Sequence, residues 1–589
     1  MTYYQNRHRV REGLARLRHG FIKPDPNNLV EVVWGGDAIE KLKGLTPSGK
    51  RIGESWECST HPQHPCMVNI KGAGKIPLSD LVNLMGEDAF GKHVAREFKG
   101  QFPILVKFLD AHEDLSVQVH PSDEKAAELG ERDTGKAEAW LILDARPGAV
   151  VYLGFKEDVD PKEFEKALSS PDTNIAERYL NAIPVRAGDV LYNPAGAVHA
   201  IGKGVFLAEI QQSSGITYRV WDWNRVPKRP LHIPQAIASL NFKKTGRPDY
   251  ELFPKKLSGH EERLIDSFYF TVDRVRLTSG KEAPMATGGG FHVLTCLEGT
   301  AELAAPYSQE RLSRGESVLV PAALGEYRII AREDSVILKS FVLQPRHIDP
   351  VIFQTYDVRA IADDYLRDRV CYYLGKAYGT FVRRQQNGQV PTVNVGGGVR
   401  LSTERIRRQV IKGILSTGVN VCDVGISSTP ELYFSIPYLG ADGGVNLTAS
   451  HNEAEYNGLK QVIRSEDGFI TSINAEQMLE VKRIALEGDF LEGEGRCTRI
   501  EEGEVARYHN ELVKANCRLG REIWIYLMEK WKARGLKALL DATATLAFPD
   551  GPDSAAWAQI RQTLDLPSEF TQPETAIRHP LAGLRVVID

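Results

Sequence analysis

Residues 115–140 read LSVQVHPSDEKAAELGERDTGKAEAW, and four polar side chains within them decide what the chain has to build. Successive side chains of a strand point to opposite faces, so residues two apart share a face. Read as strands, the two ends of this stretch pair Gln118 with His120 and, eighteen residues on, Lys136 with Glu138. A carboxamide oxygen, an imidazole nitrogen and a carboxylate brought to one small volume suit a borderline-soft divalent cation such as Zn²⁺, and one more histidine completes a set of four. NPAGAVHAI, residues 193–201, offers His199 just after a Pro/Gly turn and before the run VFLAEIQQ.

Working outward, EVVWGG, ESWECSTHP and FPILVKFLDA precede this stretch as short apolar runs broken by turns. After it, GAVVYLGF reads as a strand, PKEFEKALSS and TNIAERYLNAI as helices, and VRAGDVLYNPAGAVHAIG as strand, turn and strand. This texture predicts a small antiparallel barrel with one helical excursion. His61 and His64 of STHPQHP form a second imidazole pair, but the neighbouring prolines favour a turn, and His112 is read as structural.

Composition bounds the rest. A chain of 589 residues predicts about four domains. A net charge of -4 with 25% charged residues points to neither a nucleic-acid nor a membrane partner. Seven cysteines, far apart and without C-x-x-C, indicate a reducing, cytoplasmic setting. The first twenty residues carry five arginines and no apolar core of a signal peptide, so residues 1–29 are read as a basic arm. No apolar run approaches the roughly 20 residues of a membrane span.

Residues 30–261 are read as the first barrel domain. Residues 262–345 continue strand-rich, with DSFYFTVDRVRL, FHVLTCLEGTAELAA, ESVLVPAALGEYRII and SVILKSFVL, and predict a second barrel whose one histidine, His292, has no Q-x-H or E-x-H partner. QPRHIDP marks a linker, placed at 346–352. Beyond it, TVNVGGG, ERIRRQVIKGILSTG, VNVCDVGI and GGVNLTASHN alternate strands with helices, which predicts an α/β domain over 353–499 with a largely parallel core sheet. Residues 500–589 are read as a helical segment ending in the strand-like GLRVVID.

GESWECSTHP, FPILVKFLDA running into SVQVHP, GKAEAW, NPAGAVHAIG and EIQQSSGITYRVWDW, in that order, resemble type I mannose-6-phosphate isomerase, a zinc-dependent cupin. The resemblance covers about residues 30–345, the second barrel included. It implies zinc held by Gln118, His120, Glu138 and His199, an active-site arginine at Arg219, and Ser116 and Lys136 helping to hold the sugar phosphate. The implied activity, interconversion of mannose 6-phosphate and fructose 6-phosphate, moves a proton between neighbouring carbons through an enediol. A site with one anionic ligand keeps net positive charge and can act as a Lewis acid. A general base must also reach the proton. Alternation in VFLAEIQ puts Glu209 with Val205, Leu207 and Gln211, where a carboxylate among apolar neighbours would have a raised pKa. Glu209 is the candidate base and Lys136 its rival. The plainer readings are a buttress for Glu209 and a surface charge for Lys136. Arg219 would offset enediolate charge with a fixed fork of donors. A cupin that binds a sugar phosphate without turnover is the alternative from another functional class.

FQTYDVRAI, GISSTPELYF and GADGGVNLTASHNEAEYNGLK resemble the first domain of the α-D-phosphohexomutases, the phosphomannomutase/phosphoglucomutase family. That resemblance implies Ser450 as the phosphoryl-carrying serine, with His451, Asn452 and Lys460 on its flanks and Arg359 facing it. Gly396, Gly397 and Gly398 stand where the family has a Gly-Arg-Asp run, and Glu453 where a proline commonly follows S-H-N. The D-G-D-x-D loop that would hold Mg²⁺ in a complete mutase does not occur in the sequence. Mutase activity from these residues alone is therefore not expected. The reading leaves either a truncated bifunctional isomerase/phosphomannomutase or a mutase piece kept as a binding module, and a strand-like end with an open edge favours truncation.

Overall fold

The computed structural model describes residues 17–70, 74–170, 173–385, 389–465, 470–501, 503–511 and 513–514. Two compact units make up the chain, Met1–His347 and Ile348–Asp589. The arm before residue 17, the helical reading beyond residue 514 and the GLRVVID end lie outside the described residues. No helix among the described residues is long and apolar enough to cross a membrane.

The front unit opens with an antiparallel barrel of two sheets. The larger runs in the order Leu29–Gly36, Ile52–Cys58, Ile104–Ala111, Val205–Gln212, Glu138–Ala145, Val190–Asn193, Glu251–Leu252. The smaller runs Tyr218–Trp221, Val117–Val119, His199–Ile201, Val150–Phe155, Leu180–Pro184. Strand parity sorts the side chains. Leu109, Trp140, Ile142, Val205 and Leu207 of one sheet meet Val151, Leu153, Ile183 and Ile201 of the other in a shared core. On the back of the large sheet, Ile104, Val106, Phe108, Ala139 and Leu141 pack with Val272, Val293, Leu319 and Leu338 of the second barrel. Ile104–Ala111 is buried at every position, which explains its nearly unbroken apolar run.

Two expectations are corrected here. TNIAERYLNAI is helical only over Ile175–Tyr179, after which Leu180–Pro184 pairs with Val150–Phe155 as an edge strand. The helical excursion is also not single. Leu78–Met85, Asp123–Glu128, Pro161–Leu168 and Ile233–Ser239 all interrupt the barrel strands. Phe164, Ile175, Ala176 and Ala236 of the later helices cover Val117, Val119, Val198 and Ala200 on the outer face of the small sheet. Burying those valines and alanines outward turns the alternate residues, Gln118 and His199, into the barrel.

The second barrel has a six-stranded sheet and a four-stranded sheet around Val275, Leu294, Leu303, Ile329 and Ile337. The chain enters beside it, with Ile22 and Leu319 exchanging backbone hydrogen bonds of 2.9 and 2.8 Å. His292 is buried within this barrel, its Nδ1 2.8 Å from the Tyr327 hydroxyl.

The rear unit carries one mixed sheet, in the order Asp357–Ile361, Tyr456–Arg464, Gly443–Leu447, Thr392–Gly397, Asn420–Ile426, Cys497–Arg499. The last four strands are parallel to one another and the first two antiparallel to their neighbours. Helices Asp368–Gln385 and Thr403–Leu415 cross at glycines. A Cβ on Gly375 would meet Val410 O at 2.3 Å, and one on Gly413 would meet Tyr372 O at 2.1 Å, so no other residue allows this approach. Gly396 and Gly397 are equally enclosed, by Ser427 Oγ at 2.2 Å and Thr403 Cγ2 at 2.7 Å, whereas Gly398 has only Leu447 O at 4.0 Å.

Candidate metal centre

Glu138 is the first residue of its strand, and Trp140 and Ile142 on the same parity line the barrel interior, so Glu138 points inward too. His199 lies directly across from Gln118 in the small sheet. His120 follows the short strand Val117–Val119 and is drawn in behind Gln118. The result is a buried cluster in which donor atoms of His120, Glu138 and His199 lie within 4.8 Å of one another. His120 Nε2 is 3.1 Å from Glu138 Oε1, His199 Nε2 is 3.7 Å from Glu138 Oε2, and the Gln118 amide is 3.2 Å from His199 Nε2. Four ligands about 2.0–2.1 Å from a common zinc ion would stand about 3.3 Å apart, so these separations fit a tetrahedral site. A half-turn of the Gln118 carboxamide presents its oxygen to the centre.

Both imidazoles are oriented for ligation. His120 Nδ1 lies 2.7 Å from Ile216 O and His199 Nδ1 2.9 Å from Ala197 O. A carbonyl can only accept, so each ring carries its proton on Nδ1 and turns the Nε2 lone pair to the centre. Asn193 Nδ2 donates to Glu138 Oε2 at 3.0 Å. Burial, followed by the charge of Lys136, pushes the His120 pKa down to about 3, and burial lowers that of His199. Burial works against ionisation of Glu138, but Lys136 and His120 outweigh it and hold the carboxyl well below its usual range. Neutral imidazoles and an ionised carboxylate are the forms that bind a cation. Among the described residues, this is the one grouping of three or more His, Cys, Asp or Glu side chains able to hold a metal ion.

A cavity of about 200 Å³ opens onto the cluster, lined by Ser116, Lys136, Glu209 and Arg219 among others. Lys136 lies before its strand rather than in it, yet its Nζ reaches Glu138 Oε1 at 2.8 Å. Burial opposes its charge, but Glu138 and Glu209 prevail and its pKa is raised. Arg219 donates from Nε to Ser116 Oγ at 3.3 Å and from Nη1 to Pro230 O at 2.8 Å. Glu209 sits beside Lys107 and Trp140 in the sheet and is buried. Its surroundings are more charged than alternation alone suggested, since Glu54, Lys107 and Lys136 share the cavity.

Sequence reasoning did not single out Glu54, Lys107, Asn193 or Arg229. Lys107 Nζ stands 3.4 Å from Glu54 Oε2 and 3.9 Å from Glu209 Oε1, and Trp56 Nε1 donates to Glu54 Oε2 at 2.7 Å. Asp222 holds Arg229 by two hydrogen bonds of 2.7 and 2.6 Å. One signal was available: a lysine inside the otherwise apolar FPILVKFLDA has to be paired if the strand is buried. His61 and His64 do not ligate this centre. His61 pairs with Asp133 at 3.0 Å and His64 packs edge-on against Trp56, while His112 Nδ1 meets Arg146 at 3.2 Å.

In the rear unit, Ser450 follows the strand Gly443–Leu447 and holds a left-handed backbone, φ 56°, which costs a non-glycine residue about 1 kcal/mol or more. Its Oγ lies 3.4 Å from His451 Nδ1. Arg359 does not bond the serine hydroxyl. It donates instead to Asn452 Oδ1 at 2.8 Å and Asp357 Oδ2 at 2.6 Å. Lys460 sits on Tyr456–Arg464 opposite Asp357 and Asn446, with no hydrogen bond to Ser450. Arg400, which sequence reasoning gave no role, pins the turn by donating to the carbonyls of Ser450 (3.3 Å), Asn452 (2.7 Å), Tyr456 (2.9 Å) and Glu453.

Comparison with known proteins matches three segments of the chain to known families. Residues 26–139 match the family described as phosphomannose isomerase type I, catalytic domain, and residues 260–336 match the mannose-6-phosphate isomerase cupin domain. Residues 350–490 match phosphoglucomutase/phosphomannomutase, alpha/beta/alpha domain I. Mannose-6-phosphate isomerase of Streptococcus mutans is 32% identical over 315 residues, 51% of this chain and 94% of its own. Phosphomannomutase of Vibrio cholerae is 36% identical over 142 residues, so the chain spans about 30% of that relative's length. The crystal structure of mannose 6-phosphate isomerase from Bacillus subtilis is 29% identical, with a TM-score of 0.46, and the match covers 54% of this chain and 98% of that one.

Proposed function

The chain belongs to the mannose-6-phosphate isomerase family, and on that premise we propose that its first barrel interconverts mannose 6-phosphate and fructose 6-phosphate with Zn²⁺ held by Gln118, His120, Glu138 and His199. The cation, when bound, supplies Lewis acidity toward the two substrate oxygens that change between carbonyl and hydroxyl. Glu209 takes the proton from C2 and returns it to C1, through an enediol, while the hydroxyl proton of O2 passes to O1. Its elevated pKa of about 7 suits a group that must both accept and release a proton near neutrality. Arg219, oriented by Ser116 and Pro230, offsets charge that grows on the enediol oxygens. Lys136 holds Glu138 and adds a second positive charge at the cavity wall. The substrates are small sugar phosphates, and the working compartment is the cytoplasm.

One observation carries this reading: the cluster of His120, Glu138 and His199, with Gln118 against His199, opens through Gln118 and Glu138 onto a cavity that Glu209, Lys136 and Arg219 also line. A coupled assay for fructose 6-phosphate formed from mannose 6-phosphate, run with metal analysis before and after chelation, tests it. Wild type is expected to turn over with one zinc per chain, and chelation or His120→Ala is expected to abolish both. Turnover that persists after complete metal removal would sink the reading, while zinc binding without turnover would favour a sugar-phosphate sensor.

For the rear unit we propose no phosphomannomutase turnover by these residues alone, because Ser450 and its turn are present but no D-G-D-x-D loop is. Mannose 1-phosphate formation that Ser450→Ala abolishes would overturn this.

A further inference from the structure

His61 and Asp133 take no part in the metal cavity, yet they sit where three segments serving it are tied together. His61 is buried, and its Nδ1 accepts the Gln63 N–H at 3.3 Å. Its proton is therefore on Nε2, donated to Asp133 Oδ2 at 3.0 Å. The same Oδ2 accepts the Gly215 N–H at 2.9 Å. The residue after Gly215 is Ile216, whose carbonyl receives His120 Nδ1 at 2.7 Å. On the other side, Ser214 Oγ donates to Thr134 O at 2.8 Å, which binds the same loop to the segment leading into Lys136 and Glu138. A Cβ on Gly215 would stand 2.8 Å from the Gln63 side chain, so the His61 turn and the Gly215 loop already touch.

We propose that Asp133, steadied by His61, is a positioning residue of the metal centre. Its carboxylate oxygen holds the Gly215 N–H, and the carbonyl of the next residue, Ile216, aims the His120 ring. Metal ligation by an imidazole is directional, and the group bonded to the second ring nitrogen sets both tautomer and ring angle. Loss of the Asp133 clamp lets the Ile216 carbonyl move, and His120 Nε2 moves with it, without any ligand being removed. This inference rests on the zinc reading of His120, Glu138 and His199.

The test is zinc affinity of metal-stripped protein, measured by competition with a chromophoric chelator, beside thermal unfolding of the same stripped samples. Wild type and His120→Ala are run first. Zinc uptake by wild type and its loss in His120→Ala secure the underlying site. Equal, negligible uptake by both overturns the site and the proposal with it. Given the site, Asp133→Ala is expected to weaken zinc binding about 10-fold or more, the lower end for groups that orient metal ligands. His61→Ala should weaken it by a smaller factor, and His61→Gln, which can still donate to Asp133, should restore it, with the unfolding temperature of the stripped protein unmoved. Wild-type affinity in Asp133→Ala overturns the proposal. Should Asp133→Ala fail to fold, equal affinities of His61→Ala and His61→Gln overturn it.

Discussion

Trp140 Nε1 donates to Glu209 Oε2 at 3.1 Å, across the pair of strands that also brings Glu138 into the barrel. That bond leaves the carboxylate aimed into the cavity from a fixed position. Burial, followed by the charge of Glu138, pushes its pKa up to about 7 against the pull of Lys136 and Lys107.

A base acts only when ionised, so turnover should be lost on the acid side as Glu209 takes up its proton. Its pKa of about 7 is that of the metal-free site, and a cation on Glu138 moves the limb to lower pH. Glu209→Gln should remove this limb and lower kcat about 10²- to 10⁴-fold. Because Lys107 favours the ionised form, Lys107→Met should move the limb to higher pH. A kcat/KM profile of metal-replete enzyme decides, and an acid limb that Glu209→Gln leaves in place excludes Glu209 as the base.

The same shift bears on stability. The folded state holds this proton more tightly than the unfolded chain, whose carboxyl titrates near 4.5. The stability so contributed is complete below about 4.5 and lost as pH rises through about 7. Glu209→Gln stays neutral throughout, so its stability relative to wild type should climb across that window by on the order of 1–3 kcal/mol. Denaturant midpoints of stripped protein at several pH values check this.

Arg219→Lys keeps the charge and loses the fork that engages Ser116 and Pro230 together. A fall in kcat/KM of about 10- to 100-fold is expected, the worth of one hydrogen bond to a charged group. Zinc content should not change, and steady-state kinetics beside metal analysis separates the two effects.

Gly375→Ala forces a Cβ against Val410 O and should destabilise the rear unit by about 1–3 kcal/mol. Gly398→Ala, whose Cβ would meet Leu447 O only at 4.0 Å, should stay within about 0.5 kcal/mol of wild type. Denaturant unfolding of the two variants gives the comparison.

The sequence alone was enough to propose Gln118, His120, Glu138 and His199 as a ligand set, Glu209 as the candidate base with Lys136 its rival, and Arg219 as a charge partner. Strand parity is a local property with a period of two, and the motifs that carry the family resemblance are contiguous. Only the tertiary structure brought in Glu54, Lys107, Arg229 and the His61–Asp133 pair. The strands that carry them are neighbours in space but not in sequence: Ile104–Ala111 lies beside Val205–Gln212, and Asp133 meets a loop more than eighty residues away. Register across such pairs is set by packing both faces of the large sheet at once, a constraint no single stretch of chain contains.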